Sequence, residues 1–368
     1  MKTTAWILAS LLACATACEA DDHSTHPANA SDASSTDSSA SDTKSDTTSA
    51  GKGYQPFQQA NLANQLLRVG AWQTINTLRK SADFKAEHFG ESCSKWSPTA
   101  TAASDPKKFA SLYVETANLG AKVAGRKDVH PYANPVELGK QLDAAICAAI
   151  EAGAKAGSTA RDSVGSIDWH AQIIDKSLQQ FFYASLFNYL MDGSRKGYDE
   201  GIGYYGMSLD GAEGIGLAGT VASRDANCGT TYASQIWDLL RSGRAKLDAA
   251  LTAEGKTGNE DKLSKQTPDL QALASEIDGK ILEVLALSLG REMIGIQKGD
   301  KPAIKLIEGR MFAAMLLPYV ADWDKQKTTA HAAALQTLLQ DDPTKADTAK
   351  ILSAIQAIWG LDVAKLCK

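Results

Sequence analysis

The chain has 368 residues, 44% hydrophobic and 22% charged, enough for a sizeable core in one or two domains. Its net charge of -5 sits near the start: Lys2 gives +1, residues 19–53 carry -5, and residues 54–368 carry about -1. A nearly neutral folded part lacks the basic excess that supplies most non-specific nucleic-acid binding, so DNA and RNA are not expected partners.

Residues 1–18, MKTTAWILASLLACATAC, place one lysine before an apolar run that ends in small residues. That is secretory signal architecture, and the run is shorter than the ~20 apolar residues of a membrane span. Leu11-Leu12-Ala13-Cys14 and Ala15-Thr16-Ala17-Cys18 both resemble the end of a bacterial lipoprotein signal. Leu11 favours Cys14 as the lipidated residue; signal length, the polar onset at Glu19 and an even number of remaining thiols favour Cys18. A lipid anchor in the bacterial cell envelope, at the outer membrane, is the expected location. Residues 19–53 are almost wholly Ala, Ser, Thr and Asp, which cannot offset the entropy of ordering, and read as a flexible tether with a reach of roughly 30–35 Å.

From Phe57 to Leu78 the apolar residues fall at helical spacing, and strand-like alternation is almost absent afterwards. Periodicity predicts further helices at 106–124, 135–154, 163–192, 198–221, 230–253, 268–297, 301–321, 328–340 and 344–359. Pro106, Pro135, Pro268, Pro302 and Pro343 each stand near a predicted start, where a missing N–H costs little. The expected fold is an all-α antiparallel bundle over residues 54–368. It forms one domain or two sub-bundles divided near 253–267. Cys93, Cys147, Cys228 and Cys367 show no CxxC spacing, so in an exported chain they read as disulfides. Four cysteines allow three connectivities, and the pairing expected here is Cys93 with Cys147 and Cys228 with Cys367.

Lys176–Gly206 and Lys280–Ala314 form a weak internal duplication, each reading helix, glycine-bearing turn, helix. The second helices carry Glu200-Gly201 and Glu308-Gly309, with Tyr204 and Phe312 four residues after the glutamates. A pseudo-symmetric pair of hairpins would bring the two glutamates together. Glycine is dense from 193 to 219, although each glycine inside a helix costs about 1 kcal/mol relative to alanine. Close helix approach, a break, or backbone presented to a ligand would explain it. Asp199, Glu200, Tyr204 and Tyr205 lie in the same stretch, and carboxylates and phenols are hard oxygen donors suited to ferric iron. The competing reading makes the acids dipole partners of a helix and the tyrosines core. His170, beside Asp168 in IDWHAQII, is a further candidate ligand or a hydrogen-bonded core residue. Arg224 and Arg310 would bind an anion or pair with these acids. HExxH, GxSxG, GxxxxGK[ST] and DxDxDG are all missing, so no catalytic residue is assigned.

YDEGIGYYG, ASRDANCGTTYASQIWDLL and IEGRMFAAMLLPYVAD, in this order and followed by Cys367, resemble the algal iron-assimilation proteins, a high-CO2-inducible periplasmic family with bacterial lipoprotein relatives. The likeness spans about residues 165–367. It implies a mainly helical extracytoplasmic protein linked to iron acquisition, with Asp199, Glu200, Tyr205, Glu308 and Arg310 at the matching positions. Gly203 departs from it where alanine is expected, and the amino-terminal third diverges. Imelysin-type proteins are a more distant analogue, whose GxHxxE is not found around His170. Two functions follow as expectations. One is a tethered protein that captures iron, or a small iron–anion complex, with Glu200 and Glu308 as acidic ligands. The other is a helical interaction module of the envelope that binds a protein or polymer without metal.

Overall fold

The computed structural model describes residues 54–91, 93, 102–126, 138–157, 161–206, 214–340 and 345–367. The predicted signal and tether with Cys14 and Cys18, the Asn134-Pro135 cap, Pro343 and part of the glycine-dense run lie outside them. The described residues are all-α, with one isolated bridge pairing Ser194 with Lys262 and no strand. None of these helices is long and apolar enough to cross a membrane.

The first half is built around one helix. α1 (Ala60–Lys80) leads through a 3-10 turn at Ala86–Phe89 to the short α2 (Phe109–Glu115) and α3 (Leu119–Ala124), then α4 (Leu138–Lys155), α5 (Ile167–Leu190) and α6 (Arg195–Tyr205). α5 buries 18 of its 24 residues, so it has no solvent face and is the axis on which α1, α4 and α6 pack. Phe181, Phe182 and Tyr204 form an edge-packed aromatic cluster there, with Trp72 stacked on Phe182. The predicted helix at 106–124 is broken, because Ala117 and Asn118 take left-handed backbone angles between α2 and α3.

The second half is built around α9 (Pro268–Lys298), with α7 (Gly216–Cys228), α8 (Tyr232–Ala253), α10 (Pro302–Lys327), α11 (His331–Leu339), α12 (Thr348–Trp359) and the short α13 (Val363–Leu366). α9 pairs with α10 as an antiparallel hairpin and is covered by α8, α12 and α13. Pro268 and Pro302 stand in the first turns of α9 and α10, as their sequence positions predict. α10 also packs on α5, and the buried apolar residues of both halves form one contiguous cluster. The 254–267 segment turns back onto the start of α6: Lys196 donates its backbone N–H to Asn259 and Leu263 donates to Gly193.

The predicted helix at 198–221 is two helices. α6 ends at Gly206, whose φ of 85° gives the left-handed cap that favours glycine, and Ile215 donates back to the Gly206 carbonyl at 2.9 Å. The cysteines pair as Cys93–Cys147 and Cys228–Cys367, with Cα separations of 5.5 and 3.9 Å.

Candidate functional site

Asp199 has no exposed surface, and its carboxylate accepts from Tyr54 Oη at 2.7 Å, Phe57 N at 3.1 Å, and Gln58 N and Asn61 Nδ2 at 3.0 Å. Four donors fill its lone-pair positions, so Asp199 anchors the entry to α1 and has no site left for a metal. Tyr204 is buried and its hydroxyl accepts from Arg68 Nη1 at 2.9 Å; Tyr205 is equally buried. Burial raises the pKa of both phenols.

Glu200 and Glu308, expected to converge, occupy different neighbourhoods. Glu200 lies on α6 beside Tyr189, Lys196 and Lys122, and burial raises its pKa. Glu308 lies on α10 beside Lys305 and Glu292. His170 is buried in the first turn of α5 with Nδ1 unpartnered, and burial lowers its pKa. Arg310 ties α10 to the end of α11 by donating to the Leu339 carbonyl at 3.0 Å. Nε and Nη1 of Arg224, on α7, are buried without a hydrogen-bond partner among the described residues. Among those residues, no three of His, Cys, Asp and Glu converge as a metal-ligand set.

The structure instead gathers Glu308 into a cleft of about 460 Å³ where three helix ends meet, a volume ordinary for small-molecule sites. Arg79 and Lys80 come from the end of α1; Arg161, Asp162, Asp168 and Gln172 from the turn before α5 and its first turns; Lys301, Ile304, Lys305 and Glu308 from the start of α10. The turn at 161–166 fastens the three ends together. Arg161 donates to the Arg79 carbonyl at 3.0 Å and binds both carboxylate oxygens of Asp168 at 2.8 and 2.9 Å. Asp162 accepts the Ile304 N–H at 3.1 Å, satisfying one of the orphan donors of α10. Ser166 caps α5 by accepting from the Trp169 N–H at 3.2 Å.

Five cationic side chains and three carboxylates line this cleft. Arg161 is occupied by Asp168, and Arg79 reaches past the wall to buried Asp175 at 3.0 Å. Lys305 Nζ lies 2.9 Å from Glu292 and 3.7 Å from Glu308. Burial, with Glu308 beside it, pushes the Glu292 carboxyl up to about 8 against the pull of Lys305. Lys80 and Lys301 have no ion-pair partner among the described residues, which leaves the rim with unneutralised positive charge. Burial, reinforced by Arg79 and opposed by Asp175 and Glu308, lowers the Lys80 pKa. Gln172 is 4% exposed, and its Oε1 has no hydrogen-bond partner among the described residues.

Of this cleft, the sequence analysis singled out Glu308 and noted Asp168. Arg79 and Lys80 stand in the last turn of α1, where positive charge ordinarily reads as a complement to the helix dipole, whereas Lys301 stands at the N-cap of α10, where it opposes the dipole. Comparison of the chain with protein-family models, curated proteins and solved structures gives no match.

Proposed function

We propose that the protein is a tethered extracytoplasmic binding protein whose cleft captures an anionic ligand. In the iron-assimilation reading, iron arrives as an anion-bound complex and not as a bare ion. One observation carries this: a cleft of small-molecule size with surplus positive charge at Lys80 and Lys301. Ferric iron takes six hard donors, and the carboxylates nearest the cleft floor, Glu292 and Glu308, are engaged with Lys305. An anionic chelator supplies the missing donors and brings the negative charge that the lysines meet. Two disulfides support an oxidising, extracytoplasmic setting.

The test is the iron content of the full-length protein, measured after incubation with ferrous salt, with ferric iron held by a small carboxylate chelator, or with chelator alone, followed by desalting. Retention of about one iron per chain from the chelate, little from the free ion, and loss in the Lys80→Ala/Lys301→Ala double variant is the expected result. Iron held equally from the free salt and lost in Glu200→Ala would move the site to α6. No retained iron in any arm would favour the metal-free interaction module.

A further inference from the structure

Three features of the cleft wall restrict what anion it takes. One backbone donor on each helix N-terminus that faces it is already used: Asp162 accepts the Ile304 N–H of α10, and Ser166 accepts the Trp169 N–H of α5. A phosphate group ordinarily settles on such backbone donors, and fewer are left for it here. The available positive charge comes instead from separate elements, Lys80 at the end of α1 and Lys301 at the start of α10, with Lys305 one turn further along. Ammonium groups carried on different helices meet separate anionic groups better than a single compact one.

The same wall also presents acceptors. Glu308 lies among the cations, with Lys305 Nζ at 3.7 Å and the Glu292 carboxyl beside it. Gln172 is 4% exposed and offers an amide oxygen that no donor among the described residues completes. A purely anionic ligand leaves Gln172 Oε1 without a donor. A ligand that also carries a hydroxyl supplies that donor.

Resting on the anion-capture reading above, we infer that the cleft binds hydroxylated polycarboxylates, with Lys80 and Lys301 taking carboxylate groups and Gln172 Oε1 accepting the hydroxyl hydrogen. The inference needs no iron, so it is tested without it.

The probes are citrate, tricarballylate, which is the same tricarboxylate without the hydroxyl, and inorganic phosphate. Each is titrated calorimetrically into the full-length protein at low salt and neutral pH. Citrate is expected to bind about tenfold more tightly than tricarballylate, the ratio for one hydrogen bond to a buried amide oxygen, and phosphate more weakly than either. Lys80→Ala and Lys301→Ala, both on exposed side chains, weaken both tricarboxylates alike. Gln172→Leu removes the preference for citrate while tricarballylate affinity stays. Equal affinity for citrate and tricarballylate overturns hydroxyl recognition and leaves anion capture standing. Phosphate binding more tightly than citrate overturns the polycarboxylate assignment, and failure of all three probes to bind overturns the inference together with the capture reading.

Discussion

Behind the cleft, Glu292 is 4% exposed, with the Glu308 carboxylate beside it and Lys305 Nζ at 2.9 Å. Burial and the neighbouring acid favour its neutral form by more than Lys305 favours the charged one, which places its pKa at about 8 in the folded state against an ordinary 4.5. Between those values the folded chain holds a proton that the unfolded chain has released. The stabilisation is full below the ordinary value, falls as pH rises, and is gone above about pH 8. Thermal melts of the full-length protein should show Tm decreasing from pH 5 to 8.5. Glu292→Gln, which fixes a neutral side chain of the same shape, should flatten that decline and melt at least about 2 °C above the parent at pH 8.5. Parallel profiles for the two proteins would mean that Lys305 compensates Glu292 fully and that another group causes any decline. Asp175 has the opposite fate at complete burial: burial alone would raise it, yet Lys176 and Arg79 hold it well below the carboxylate range, with the Trp72 indole donating at 2.6 Å. The difference is one of pairing. Asp175 faces two cations, whereas Glu292 shares one with a second acid.

At the scale of elements, the glycine-dense run resolves into contacts. α6 lies so close to α1 that a Cβ on Gly203 would fall 2.7 Å from Gln65 Cβ and 3.4 Å from Leu62 Cδ2. Alanine would improve helix propensity by about 1 kcal/mol, but overpacking between two backbones ordinarily costs about 1–3 kcal/mol. Gly203→Ala should therefore be destabilising by about 1 kcal/mol in urea denaturation, and the Gly203→Ala/Gln65→Gly pair should recover part of the loss of close fit. A stabilised single variant would show that the two helices separate freely. Sequence periodicity reads such helices well, because a stripe of apolar residues is a local property; α1, α8, α9 and α12 lie within a few residues of their expected spans. It misses the division between α6 and α7, since small and apolar residues run on both sides of Gly206 and the interruption depends on a left-handed backbone angle. It also does not tell where Asp199, Tyr204 and Tyr205 lie in the fold. Hard oxygen donors on one helix look the same in sequence whether they face a cavity or, as here, α1 and the aromatic core.

Across the whole molecule, the cleft arises because α1, α5 and α10 end at one place, a convergence of segments more than 200 residues apart that no local pattern records. The disulfides are the long-range feature that the sequence does make legible, and their spans set their worth. Cys93–Cys147 closes a separation of 54 residues and Cys228–Cys367 one of 139. On chain-entropy grounds these constrain the unfolded state by about 4 and about 5 kcal/mol. The difference is small, so local anchoring decides which bridge matters more. Cys367 follows α13, a helix of four residues held against α9 where Val363 meets Gly290. So short a helix is marginal without such docking. The Cys228→Ser/Cys367→Ser variant should then lose both the entropy term and the docking of α13, and unfold at a lower denaturant concentration than Cys93→Ser/Cys147→Ser. Amide exchange on the native state gives the local reading: in the first variant protection should fall at α13 and the facing turn of α9 before it falls elsewhere. If protection there is unchanged, the Val363 contact alone holds the C-terminus, and the bridge acts only on the unfolded chain.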